Sequence, residues 1–108
     1  MTTNTNTIYA AGTKVIIRSN DSGVHFGTLA DYSLTEGWVR LKDSRRLWEW
    51  QTANNGISLS EIATAGINHA GSKITCVVSD IIVMGVCEIC PTTGMSEATI
   101  EGAPEAKA

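Results

Sequence analysis

At 108 residues the chain has room for one domain, large enough to bury roughly two thirds of its unfolded surface. Hydrophobic content of 43% and charged content of 18% exclude a disordered chain, and no apolar run reaches the roughly 20 residues that a membrane span needs. A net charge of −3 argues against a general nucleic-acid binder, which usually carries a basic excess.

Residues 1–12 begin Thr/Asn-rich and read as a flexible leader. They lack both the basic start and the apolar stretch of a secretory signal, so the protein is expected to be soluble and cytosolic, with no membrane partner. Residues 13–19 are a β-branched run and form the first strand. Turn chemistry at Asn20–Gly23 returns the chain as a second strand over 24–30, an antiparallel hairpin. Gly27 inside that strand suggests a bulge or a close backbone approach.

A turn over 33–37 leads into Trp38–Lys42, where alternation puts Trp38, Arg40 and Lys42 on one face and Val39 and Leu41 on the other. Asp43 and Ser44 look like a two-residue turn into a further strand over 45–51. With that turn, Arg46, Trp48 and Trp50 join Val39 and Leu41 on a core face, and Arg45 joins Trp38, Arg40 and Lys42 on a basic surface. An odd-length turn exchanges the two faces.

Residues 52–56 form a loop. Ser58 and Glu61 then spell a capping box, with Ile57 and Ile62 as its staple and Gly66 at the helix end, so a short capped helix is expected over 58–65. Strands follow over 73–78 and 81–89, and Thr93 or Ser96 caps a short C-terminal helix through Ile100. Residues 101–108 read as a disordered tail. The sum is an α+β domain over residues 13–100, mainly a small antiparallel sheet or partial barrel of about six strands.

Cys76, Cys87 and Cys90 are an odd set that cannot all pair internally. Cys87 and Cys90 are spaced as in redox and zinc motifs, but in a strand they point to opposite faces, and a second ligand pair is missing. They read as small buried hydrophobes, and neither metal nor cofactor is expected. His25 and His69 have no adjacent nucleophile, and no phosphate loop or paired-carboxylate motif is visible. No catalytic residue emerges; an enzyme is not expected.

The segment Ser44 to Trp50 carries most of the functional signal. Guanidinium groups grip phosphate oxygens and indole faces stack on flat rings. Arg45 or Arg46 would hold phosphate, Trp48 or Trp50 would stack on a base, and Asn54 and Asn55 would read its edges. Trp38 and Arg40 complete the candidate set. The helix start at Ser58 offers further N–H donors, although Glu61 competes for them. Each residue also has a bland reading: Arg46 buried against Asp31 or Asp80, both tryptophans filling the core, and Arg40, Lys42 and Arg45 on a solvated strand face around Trp38. Basic residues over 40–46 and acids over 80–105 form a charge asymmetry that suits a small anionic ligand better than long nucleic acid.

Residues 39–66 resemble an uncharacterised family of small bacteriophage and prophage proteins with an A-R-R-L-W-Y-W motif. Here the motif reads Ser44-Arg45-Arg46-Leu47-Trp48-Glu49-Trp50, followed by Gly56 to Ala63, Gly66, and the ending Cys87 to Thr93. Glu49 replaces the usual aromatic, the loop over 51–56 is longer, and Cys87 and Cys90 stand at apolar positions. By weaker analogy, size and phage origin are similar to those of the sponge proteins that phages direct against Thoeris and CBASS immunity. That analogy implies a non-catalytic homo-oligomer in the host cytoplasm that sequesters a cyclic ADP-ribose isomer or a cyclic oligonucleotide. The alternative is a protein-interaction or structural module acting on a host or virion protein, with Trp38 and its basic neighbours as anchors.

Overall fold

In the computed structural model, which describes residues 9–20, 22–53 and 58–106, β1 (Lys14–Ser19) and β2 (Gly23–Ser33) form the expected antiparallel hairpin. Val15, Ile16 and Ile17 of β1 are all fully buried, although alternation sends Ile16 to one face and its neighbours to the other. The sheet is therefore covered on both sides at β1. Ile16 joins Phe26, Leu47, Ile62, Ile74 and Ile100 in a core beneath the helices. Val15 and Ile17 join Leu29, Val39, Leu41 and Val83 in a second core inside the curl of the sheet.

β3 (Trp38–Glu49) is one strand of 12 residues, not two strands joined at a turn. Asp43 adopts a φ of 50°, a left-handed conformation that Asp tolerates better than most residues. The ladder slips there, since Phe26 opposes Arg45 while Thr28 opposes Lys42. This is a β-bulge. Gly27 lies against it: a Cβ at Gly27 would stand 3.1 Å from Leu41 Cβ and 3.2 Å from Lys42 O and Ser44 Cα. Both expectations for Gly27 are met, a bulge and a close approach.

β3 also pairs with β4 (Lys73–Ile74) through its second half and with β5 (Val78–Met84) through its first, giving the order β4-β3-β2-β1-β6 with β5 also on β3. Gly85, at φ 70°, separates β5 from β6 (Val86–Pro91) and sends the chain from the edge of β3 to the edge of β1. The expected strand over 81–89 is thus broken at one glycine. The result is a six-stranded antiparallel sheet, curled but not closed, with two short helices. No described helix is long and apolar enough to cross a membrane.

α1 (Leu59–Ala65) falls where the sequence places it, and Gly66 ends it at φ 95° with its N–H on Ile62 O. The Ser58 hydroxyl makes no cap bond, however; Glu61 N and Ile62 N both donate to Ser58 O. The staple residue Ile57 lies outside the described residues. The last carbonyls of α1 receive donors from the start of α2 (Gly94–Glu101): Ser96 Oγ donates to Ile62 O, Thr93 N to Ala63 O and Thr93 Oγ1 to Thr64 O. Thr93 also caps α2, as one reading of the sequence has it, by accepting from Ser96 N.

Both ends of the described chain pack. Tyr9 rests on the second core, and Ala103 is buried while Ala106 N donates to Ile74 O. Leader and tail as expected, 1–12 and 101–108, therefore contain docked residues. The physical reason is the same at both ends: an apolar side chain meets uncovered core, and backbone groups find partners there.

Candidate functional site

Arg45 opposes Phe26 on the helix-covered side and is 4% exposed. Its Nε donates to Thr75 O at 2.8 Å, and its Nη1 donates to Ile100 O at 2.9 Å and Ala103 O at 2.7 Å. The carbonyls at the end of α2 carry the negative pole of that helix, which offsets a buried cation that makes no ion pair among the described residues. Arg45 therefore ties β3 to the chain before β5 and to the end of α2. This corrects the expectation of an exposed Arg45.

Arg46 has the reverse fate. It opposes His25 and is exposed. The bulge at Asp43 keeps Arg46 on the face that Leu41 occupies, as expected, because Leu29–Leu41 and His25–Arg46 are ladder partners four residues apart in β2. Burial along that face is not continuous. Leu41 sits in the inner core, whereas Arg46 and Trp48 stand where β5 has already ended at Val78, opposite Ser44. Trp48 is 67% exposed and does not fill the core. Trp50 packs against the helix-side core, so the two tryptophans separate.

Arg46 lies between two depressions. One, of about 420 Å³, is lined by Ser22, Gly23, Val24, Arg46, Leu47 and Trp48. The other, of about 200 Å³, includes His25, Ser44, Arg46 and Thr75. His25 is 1% exposed, and its Nε2 meets Ser22 O at 3.0 Å. Burial pushes its pKa down, and the Arg46 charge adds to that, against the hydrogen bond to Ser22. Sequence reasoning set His25 aside. The signal that would have found it is strand pairing, since the run from Val24 must lie against the Arg46 segment once β2 and β3 form a hairpin.

The other described cations are engaged. Arg40 forks onto Asp80, Nε to Oδ1 at 2.9 Å and Nη2 to Oδ2 at 2.6 Å, and Lys42 adds a third contact at 3.1 Å. Those two cations hold the Asp80 carboxyl well below the usual carboxylate range. Asp80 thus serves Arg40 and Lys42, not Arg46. Lys14 pairs with Glu101, Arg18 with Glu88 and Lys73 with Glu49. Among the described residues, Arg46 is the exposed cation with no carboxylate within reach. Asn54 and Asn55 lie outside the described residues.

Trp38 stands at the start of β3 opposite Met84, on the outer wall with Ile82 and the Arg40–Asp80 pair. It is remote from Arg46 along the strand, so the six described candidate residues do not form one site. Cys76 and Cys87 are exposed, and only Cys90 packs as a small hydrophobe, its thiol pKa pushed up first by burial and then by Glu88. Among the described residues no group of three or more His, Cys, Asp or Glu is placed to hold a metal ion.

A family model described as a domain of unknown function, DUF6948, matches residues 12–100. No curated protein and no solved structure matches the chain.

Proposed function

Since the chain belongs to the DUF6948 family, whose description carries no activity, we propose from geometry that it is a non-catalytic binding protein for a small anionic ligand with a flat ring. The observation that carries this reading is Arg46, exposed and without a carboxylate partner among the described residues, two positions from the exposed Trp48. Residues i and i+2 share a face and stand about 6–7 Å apart along a strand. That spacing matches phosphate and base of one nucleotide, with the guanidinium on the phosphate and the indole on the base.

Read with the resemblance to phage proteins, the ligand is a cyclic ADP-ribose isomer or a cyclic oligonucleotide, and the role is sequestration of an immune signal in the host cytoplasm. The depressions beside Arg46 are open to solvent, and the homo-oligomer that the sponge analogy implies is joined on a face away from them. A sponge holds its ligand by affinity alone, which calls for submicromolar binding, about 8 kcal/mol or more. The test is calorimetry with a panel of these nucleotides, followed by heat denaturation and chromatography of the released ligand. Intact ligand, with binding abolished in Arg46→Ala, supports the reading. A chemically altered product makes the protein an enzyme, and absence of binding across the panel removes the reading.

One observation favours the alternative, a protein-interaction module. The outer wall of β3 and β5 carries Ile82 at 60% and Met84 at 68% exposure beside Trp38, an apolar group with the Arg40–Asp80–Lys42 cluster at its rim. Co-purification of a host or virion protein, lost in Trp38→Ala while no nucleotide stabilises the chain, would support it.

A further inference from the structure

We infer that the cavity between the bulge of β3 and the end of α2 is a second binding site, specific for the zwitterionic head group of an α-amino acid. The cavity holds about 310 Å³ and is lined by Lys14, Thr28, Asp43, Arg45 and Glu101 among others. That volume stands at the lower end of the range for small-ligand sites. The strand residues share one face of the sheet: Lys14 opposes Thr28, and Phe26, two positions before Thr28, opposes Arg45. Arg46 points to the other face, so this site is separate from the proposed nucleotide site and does not rest on it.

Arg45 carries the argument. A guanidinium has five N–H donors. Nε donates to Thr75 O, and Nη1 donates to both Ile100 O and Ala103 O. The two donors on Nη2 find no acceptor among the described residues. Arg45 is 4% exposed, yet no buried side-chain nitrogen or oxygen among the described residues lacks a partner. Nη2 therefore keeps contact with solvent, through the cavity that Arg45 lines. A nearly buried guanidinium with no ion pair and two remaining donors at a cavity wall suits a carboxylate, whose charge it lacks.

The remaining charges select a zwitterion over a plain anion. Glu101 is neutralised by Lys14 at 2.5 Å. Asp43 has neither a hydrogen bond nor an ion pair among the described residues, and the bulge takes it out of strict alternation at the cavity wall. Its carboxylate repels a second anion and attracts an ammonium. The neighbouring charges are spent elsewhere, Lys42 on Asp80 and Glu97 on the Thr92 hydroxyl. Asp43 and Arg45, two positions apart, stand about 6–7 Å from each other along the strand. Two charged hydrogen bonds of about 2.8 Å, joined through one amino-acid head group, cover that span. The Thr28 hydroxyl, also without a partner among the described residues, is a further donor for the carboxylate, and Phe26 and Val77 give the cavity an apolar wall.

The test uses the full chain, titrated with L-leucine, with N-acetyl-L-leucine, which lacks the ammonium, and with L-leucinamide, which lacks the carboxylate. Binding is followed through backbone amides and the Arg45 Nε–H resonance. L-leucine at millimolar concentration is expected to shift Arg45 Nε–H and the Thr28 and Asp43 amides, and each derivative should bind about fivefold more weakly or worse. Asp43→Asn should weaken L-leucine binding by a similar factor, and Thr28→Val should weaken it less. Asn also tolerates the left-handed backbone of position 43, so that variant folds and decides the matter even where Arg45→Ala does not. No shifts with L-leucine, equal binding of either derivative, or unaltered binding by Asp43→Asn would overturn the proposal.

Discussion

His25 and Arg46 face each other across the β2–β3 ladder, one ring almost completely buried and the other side chain exposed. A buried imidazole beside a guanidinium resists protonation, and its pKa is depressed from the ordinary value near 6.5. The unfolded chain therefore binds a proton that the folded chain refuses. The stabilising contribution of neutral His25 is fully present above about pH 6.5 and is lost as pH falls through the depressed folded value. Denaturant melts between pH 7.5 and pH 5 should show stability falling with acidification, and His25→Gln should flatten that slope. The Asp80 carboxyl titrates well below this window and does not contribute to it.

Adjacent arginines should give opposite phenotypes. Arg45→Ala removes three bonds to backbone carbonyls and leaves Ile100 O and Ala103 O without that donor in a buried setting. A loss of about 3 kcal/mol in unfolding free energy is expected. Arg46→Ala breaks no ion pair among the described residues and should change stability by no more than about 0.5 kcal/mol. Nucleotide binding should vanish in Arg46→Ala. Paired urea titrations and binding isotherms on the two variants check this; equal destabilisation of both would contradict the burial pattern.

These two residues also mark where the sequence stops being legible. Local signals placed α1, the Thr93 cap and Gly66 correctly, because capping and helix termination depend on neighbours within a few positions. Alternation even grouped Arg46 with Leu41. What alternation does not carry is which stretch of a face another element covers. The face of Arg46 is core at Leu41 and open at Trp48 because β5 begins only opposite Ser44. The opposite face is open at Arg40 and sealed at Arg45 because α2 ends there. Both are contacts of residues 30 or more positions apart, and a β-bulge of one residue at Asp43 reads in sequence as a turn.

That bulge depends on Gly27. A methyl group there meets Leu41 Cβ, Lys42 O and Ser44 Cα, and two of those three are backbone atoms that have little room to move. Gly27→Ala should destabilise the fold by about 1–3 kcal/mol. Gly94, where an added Cβ meets nothing within 4 Å, is the control, and Gly94→Ala should sit within about 1 kcal/mol of the parent. Thermal unfolding of the two variants side by side provides the measurement. If Gly27→Ala matches the control, the two strands do not approach as closely as the register implies.

The proposed homo-oligomer requires an apolar face, and the outer wall of β3 and β5 supplies one. Met84 opposes Trp38 and Ile82 opposes Arg40, all on the stretch of the helix-side face that the helices do not reach. Exposed side chains of this size are costly to leave in water when they cluster, and burial against a second copy would recover roughly 25 cal/mol for each Å² of apolar area covered. Ile82→Glu combined with Met84→Lys should convert the oligomer to a monomer in light scattering at micromolar concentration. The thermal midpoint of the monomer unit should move little, since neither side chain contributes to either core. A monomeric mass for the unaltered chain would instead reserve this face for a different protein, and a mass unaffected by the double substitution would place the interface elsewhere.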